Sequence, residues 1–264
     1  MSSLHAYQKK FAHRFFTQIG RDKGRIRKMP RFTPGVIRLF GKPFRFHDNE
    51  SFLATYHEIF EKQIYCFQPQ PNKKIIIDCG ANIGLSVLYF SLHYPDHTIL
   101  AFEPDTNVFG YLQQNVRTFG LNNVQLFEQA VWKEATVLTF YSDGGLGGRV
   151  DHAYEAVVPR SVQAVRLRDL LNPQVDFLKL DIEGAEYPVL TDCREALSGI
   201  GHLFFEYHGF EDGPQRLHEL LNMLHQNGFH YYIKESSTRE KPFVDKGLIC
   251  ELYDMAINIF AYPH

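Results

Sequence analysis

The sequence predicts an α/β fold in which a parallel sheet is covered by helices on both faces. Three observations predict it. From Lys74 onward, short apolar runs alternate with segments of helical period. Those runs are apolar on both faces, as strands buried on two sides must be. The chain has 264 residues, 44% hydrophobic and 22% charged, so it can bury roughly three-quarters of its unfolded surface without a disulfide or metal staple.

Taken in order, the first predicted strand is Ile75–Ile77 and the second Thr98–Phe102, followed by Asn123–Phe127, Phe177–Leu180 and His202–Phe205. Phe229–Ile233 and Met255–Phe260 close the series. The intervening segments Leu85–His93, Phe109–Phe119, Tyr187–Leu197 and Gln215–Gln226 suit helices. Ahead of the sheet, Val36–His47 reads as a hairpin whose two runs flank Gly41, Lys42 and Pro43. Ser51–Tyr65 reads as a helix with Ser51 as cap, and Pro69 and Pro71 mark a linker. Val137–Tyr141 and Val162–Arg166 read as an inserted hairpin around the glycine-rich stretch Asp143–Arg149, a candidate lid or surface loop.

The net charge of −2 hides an asymmetry. Residues 1–50 carry twelve basic and three acidic side chains, near +9, which leaves the remainder near −11. We therefore divide the chain into a basic helical arm and hairpin, residues 1–50, and an α/β domain, residues 51–264. Leu4, Tyr7, Phe11, Phe15 and Ile19 recur at near-helical spacing, as in an amphipathic helix docked on its own body or on a second copy in a homo-oligomer. A nucleic-acid domain is usually basic throughout, so no nucleic acid is expected. Cys66, Cys79, Cys193 and Cys250 form no C-x-x-C pair or disulfide framework, which favours a reducing cytoplasm. No apolar run approaches the roughly 18 residues of a membrane span, and no secretory h-region follows the start.

The sharpest signal is Ile75-Ile76-Ile77-Asp78-Cys79-Gly80-Ala81-Asn82-Ile83-Gly84. A buried strand ends in an acid, then turns through two glycines into a helix, leaving room for a ligand to approach backbone. The G-x-G-x-x-G pyrophosphate fingerprint and the G-x-x-x-x-G-K-[ST] phosphate cradle are both absent. The Asp78 carboxylate would repel a phosphate and suits a cationic end such as an amino-acid ammonium. The second strand ends in Phe102-Glu103-Pro104-Asp105, where Glu103 can accept both hydroxyls of a ribose. A phosphate-free nucleoside joined to a cationic amino acid describes S-adenosylmethionine. Gln129, with Ala130 beyond the third strand, can meet the adenine.

The loop Asp78–Gly84, the Phe102-Glu103-Pro104 turn, and the string Leu178-Lys179-Leu180-Asp181-Ile182-Glu183-Gly184-Ala185-Glu186 together resemble the FkbM family of methyltransferases. Pro95, Ala130-Val131 and Phe205-Glu206-Tyr207-His208 extend the resemblance over about Val36 to Ile233. It implies a class I Rossmann-like methyltransferase fold, a seven-stranded mostly parallel sheet in the order 3-2-1-4-5-7-6, the last strand antiparallel. It also implies methyl transfer from S-adenosylmethionine to an oxygen of a small molecule, sugar or glycan. The cofactor residues it points to are Asp78, Gly80, Ala81, Asn82, Gly84, Glu103, Pro104, Gln129, Ala130 and Asp181.

A second constellation concerns the reaction. Side chains two apart on a strand share a face, so Lys179 lies beside Asp181, and Glu206 beside His208. In the expected order these groups meet above neighbouring strands, where open sheets bind ligands. Asp181 and His208 are candidate bases and Lys179 a third catalytic candidate; Glu183, Glu206 and His208 are candidates to meet the acceptor. A structural ion network is the competing role for Lys179, Asp181, Glu183 and Glu206. Glu186 is expected to cap the next helix. Asp105, Asp181 and Glu183 are oxygen donors of the kind that hold magnesium-like ions, but nothing in the sequence brings them together, and no metal is among the expected cofactors. Pro95 breaks any helical pairing of His93 and His97. Two other functions compete with O-methylation: a nucleic-acid methyltransferase guided by the basic arm, which lacks an Asn-Pro-Pro-Tyr-type tetrapeptide after the fourth strand, and a non-catalytic S-adenosylmethionine-binding protein.

Overall fold

The computed structural model describes residues 20, 22–142, 159–210, 213–245 and 253–264, and the backbone of 149–150. The amphipathic run Leu4–Ile19 and residues 143–148 of the glycine-rich stretch lie outside the described residues.

The first strands are β1 (Gly35–Leu39) and β2 (Lys42–Phe46), an antiparallel pair in which Leu39 faces Lys42. The connection is therefore Phe40-Gly41 rather than Gly41-Lys42-Pro43. Both residues have positive φ, 47° and 82°, the geometry a two-residue hairpin turn needs to match strand twist. Ile37, Leu39, Phe44 and Phe46 are buried in the same apolar cluster as Ile76, Tyr89 and Leu112 of the α/β body. At roughly 1.5–3 kcal/mol per buried side chain, this packing fuses hairpin and body, so the division at residue 50 coincides with no gap in the core. Arg45 N donates to Asn115 Oδ1 (2.8 Å) and Lys42 Nζ to Phe119 O (2.9 Å).

Helix α1 (Asn49–Tyr56) runs on into a π-helical turn, His57–Glu61. Its cap is Asp48, not Ser51: Asp48 Oδ2 accepts from Ser51 N (2.9 Å) and Ser51 Oγ (2.7 Å), while Oδ1 takes Phe32 N and Arg31 Nε. Burial alone would raise the Asp48 carboxyl, but these hydrogen bonds outweigh it and hold it far below the usual carboxylate range. Lys23 pairs with Glu61, and Arg31 with Asp48 and Glu50. Among the described residues of the basic segment, these cations lie on acids of their own chain.

The main sheet is built from β3 (Ile75–Cys79), β4 (Thr98–Phe102), β5 (Val124–Phe127), β10 (Val175–Leu180), β11 (His202–Phe210), β12 (Phe229–Ser237) and β13 (Tyr253–Pro263). Their spatial order is β12-β13-β11-β10-β3-β4-β5. Counted by chain order this is 3-2-1-4-5-7-6, with β13 antiparallel to both neighbours, as the resemblance implied. Consecutive residues point to opposite faces: Ile76, Phe177 and Phe204 join the cluster with α2 (Leu85–His93) and α3 (Thr106–Phe119), while Ile77, Leu178 and Phe205 join the one with α4 (Glu186–Asp192) and α5 (Leu217–Gln226). This doubly covered sheet explains the near-continuous apolar runs.

The expected insertion is a second, four-stranded sheet of β6 (Ala130–Trp132), β7 (Thr136–Tyr141), β8 (Arg149–Val150) and β9 (Arg160–Arg166) in the order β6-β9-β7-β8. Beyond the expected β7–β9 pairing, β6 lines up parallel to β9. No helix among the described residues is long and apolar enough to cross a membrane.

Candidate active site

A cavity of about 450 Å³ opens at the carboxyl ends of β3, β4, β10 and β11. Its floor is the turn after β3. Gly80 has φ +81°, and a Cβ there would lie 1.9 Å from the Asp181 carbonyl oxygen; only glycine lets the ends of β3 and β10 approach this closely. Ala81 and Asn82 line the cavity, and Asn82 Oδ1 accepts from Ile83 N (2.8 Å). Gly84 does not reach the wall. With φ +90° it sits before α2, and a Cβ there would meet Leu112 at 2.7 Å, so its contribution is helix packing.

Glu103 and Pro104 form the lip after β4. Glu103 Oε2 accepts from Asn82 N (2.9 Å) and Oε1 from Asp105 N (3.0 Å), which fixes the carboxylate against the loop while each oxygen keeps lone-pair capacity. Burial pushes its pKa up to about 7 despite these two N–H donors. Asp105 does not join any acidic cluster. Its Oδ1 takes Asn107 N (2.8 Å) and Val108 N (3.1 Å), capping α3, so the ion-binding trio Asp105, Asp181 and Glu183 does not form. Gln129 and Ala130 line the far wall.

Asp78 is where the structure corrects the sequence most. It is fully buried and absent from the cavity wall. Its Oδ2 accepts from Ser86 Oγ (2.6 Å), and its Oδ1 lies 3.2 Å from Lys179 Nζ. A direct grip on a ligand's ammonium is therefore replaced by an internal ion pair beneath the loop. Lys179 is 3% exposed; its Nζ also donates to Gly80 O (2.8 Å) and Cys79 O (3.3 Å) and stands 3.6 Å from Asp181. Burial disfavours the ammonium, but Asp78 and Asp181 outweigh it and raise the Lys179 pKa. With its donors committed to the loop, Lys179 is a positioning residue rather than a catalytic one.

Asp181, Glu183, Glu206 and His208 do converge on the opposite wall. His208 Nδ1 lies 3.2 Å from Glu186 Oε1, while Nε2 lies 3.5 Å from Glu183 Oε2 and 4.0 Å from Glu206 Oε2. Burial would lower the imidazole pKa, but the three carboxylates outweigh it and raise it well above the usual range. The ring is thus biased toward its imidazolium form. Burial pushes Glu183 up to about 8 and Glu206 to about 7, with Asp181 adding to both. Tyr253 Oη donates to Glu183 Oε2 (2.9 Å). Glu186 accepts from Ile182 N and Gly184 N; it ties down the preceding loop, where Glu183 and Gly184 both have positive φ.

Sequence reasoning missed Glu58, Tyr253 and Asn258, all on the cavity wall. Asn258 left a trace, as a polar residue in the otherwise apolar run Ala256–Phe260. His93 and His97 diverge, as Pro95 requires: His93 Nδ1 meets Tyr89 O (2.9 Å) and His97 Nε2 meets Asp176 (2.9 Å).

A family profile described as the methyltransferase FkbM domain matches residues 78–231. "Methyltransferase 1" of Beauveria bassiana (strain ARSEF 2860) is 31% identical over 158 residues, covering 50% of this chain and 64% of that protein. The 31-O-demethyl-FK506 methyltransferase FkbM of Streptomyces tacrolimicus is 28% identical, covering 66% of this chain and 80% of that protein. The crystal structure of a methyltransferase FkbM from Methylobacillus flagellatus KT superposes with a TM-score of 0.49 at 16% identity, covering 77% of this chain and 46% of that one. The matches thus span less than two-thirds of the Beauveria and Methylobacillus proteins.

Proposed function

The chain belongs to the FkbM methyltransferase family, and from that premise we propose that it transfers the methyl group of S-adenosylmethionine to a hydroxyl oxygen of a small molecule, sugar or glycan. The observation that carries this reading is Glu103, a carboxylate pinned at the lip by two backbone N–H groups and open to the cavity. That arrangement suits a ribose diol, and Gly80, Ala81 and Asn82 offer close backbone approach to the rest of the cofactor. Gln129 and Ala130 take the adenine end. Asp181, at the join of loop and cluster, replaces Asp78 as the carboxylate that faces the cofactor's amino-acid end.

Oxygen as the methyl acceptor is favoured by the name of the Streptomyces relative, a 31-O-demethyl-FK506 methyltransferase. The acidic wall fits the same chemistry. Methyl transfer to a hydroxyl needs in-line positioning and a destination for the proton. Asp181, on that wall, supplies that destination, beside a His208 biased toward its protonated form.

Thermal shifts with S-adenosylmethionine, S-adenosylhomocysteine and NAD test the cofactor. We expect stabilisation by the first two only, removed by Glu103→Ala. Stabilisation by NAD alone refutes the reading.

A further inference from the structure

The end of β10 and the neighbouring strand β11 bring metal-type donors together beside the cofactor pocket. Asp181, Glu206 and His208 each place one donor atom within 4.8 Å of the others. Glu206 and His208 share the sheet face of Phe204, and Asp181 follows Lys179 on the face of Phe177. His208 stands as ligating histidines do: Glu186 holds Nδ1, and Nε2 is turned toward the carboxylates.

An independent observation comes from β13. Asn258 is the register partner of Glu206, so both side chains rise from the same face. It is 3% exposed and lines the cavity, yet its amide has no hydrogen-bond partner among the described residues. The amide thus presents its oxygen to the cavity, where a cation can take it as a donor atom. The nearby cation Lys179 is already engaged with Asp78 and the loop carbonyls.

We propose that this corner is a divalent-cation site, held by one oxygen each of Asp181 and Glu206 and by His208 Nε2, with Asn258 Oδ1 as an adjoining donor. Carboxylate and amide oxygens with one imidazole and no thiolate suit Mn²⁺ or Mg²⁺. On binding, Nε2 releases its proton to solvent. The inference does not depend on methyl transfer.

The test is a titration of the full chain with Mn²⁺, followed by loss of the electron paramagnetic resonance signal of the free aquated ion and by calorimetry. One Mn²⁺ per chain is expected. Asp181→Asn and Glu206→Gln should each weaken binding by about tenfold or more, and Asn258→Asp, which adds a carboxylate, should tighten it. A retained thermal shift with S-adenosylhomocysteine shows that Glu206→Gln is folded and reads the cofactor assignment separately. An aquated-ion signal unchanged at millimolar protein overturns the proposal. So does uptake that all three substitutions leave unaltered, which would mark adventitious surface binding. If Mn²⁺ does not bind but an organic cation competes for Glu206, the corner serves an amine instead and the proposal fails.

Discussion

Replacing Lys179 by Met removes a charge while keeping most of the side chain's volume. Asp78 then stays fully buried, with Ser86 Oγ on Oδ2 and no hydrogen bond on Oδ1. Breaking a buried ion pair from one side costs about 3–5 kcal/mol, because the remaining charge is uncompensated. Urea unfolding followed by the fluorescence of Trp132, the sole tryptophan, measures it. Adding Asp78→Asn to Lys179→Met should recover about 2 kcal/mol or more, a coupling typical of contacting residues. A loss under about 1 kcal/mol, or strictly additive effects, would mean that the pair does not hold the loop.

Two further outcomes follow from the same site. Glu103 titrates near pH 7 and accepts ribose hydroxyls best when ionised, so its ionised fraction falls from about ten-elevenths at pH 8 to about one-eleventh at pH 6. The Kd for S-adenosylhomocysteine, by calorimetry, should rise about tenfold over that interval, and Glu103→Gln should flatten the profile. Gly80→Ala and Gly41→Ala form a matched pair, both at positive φ but with a 1.9 Å clash only at Gly80 and nothing within 4 Å at Gly41. Gly41→Ala should cost roughly 1 kcal/mol in urea unfolding. Gly80→Ala should cost more and abolish cofactor binding; equal effects would deny the close approach of β3 and β10.

What the sequence alone determined was local and periodic. Ile75–Ile77 announced a strand buried on both sides because every residue in it is apolar, and the turn after it was legible because Gly80 and Gly84 mark backbone that other residues resist. Glu103 was legible from its place one strand later. The tertiary structure decided what becomes of each charge. Asp78 looks in sequence like a ligand-facing acid; Lys179, from a strand far along the chain, and Ser86 draw it into the interior. Ser51 looks like a cap, but Asp48 has the better reach because Arg31 and Phe32 converge on it. Nothing near His208 in sequence says that Glu186 and Glu183 will surround it and favour its charged form, and Asn258 gains meaning only from the register that sets it beside Glu206. Periodicity is a property of a segment, whereas ionisation and burial are set by the neighbours that folding supplies.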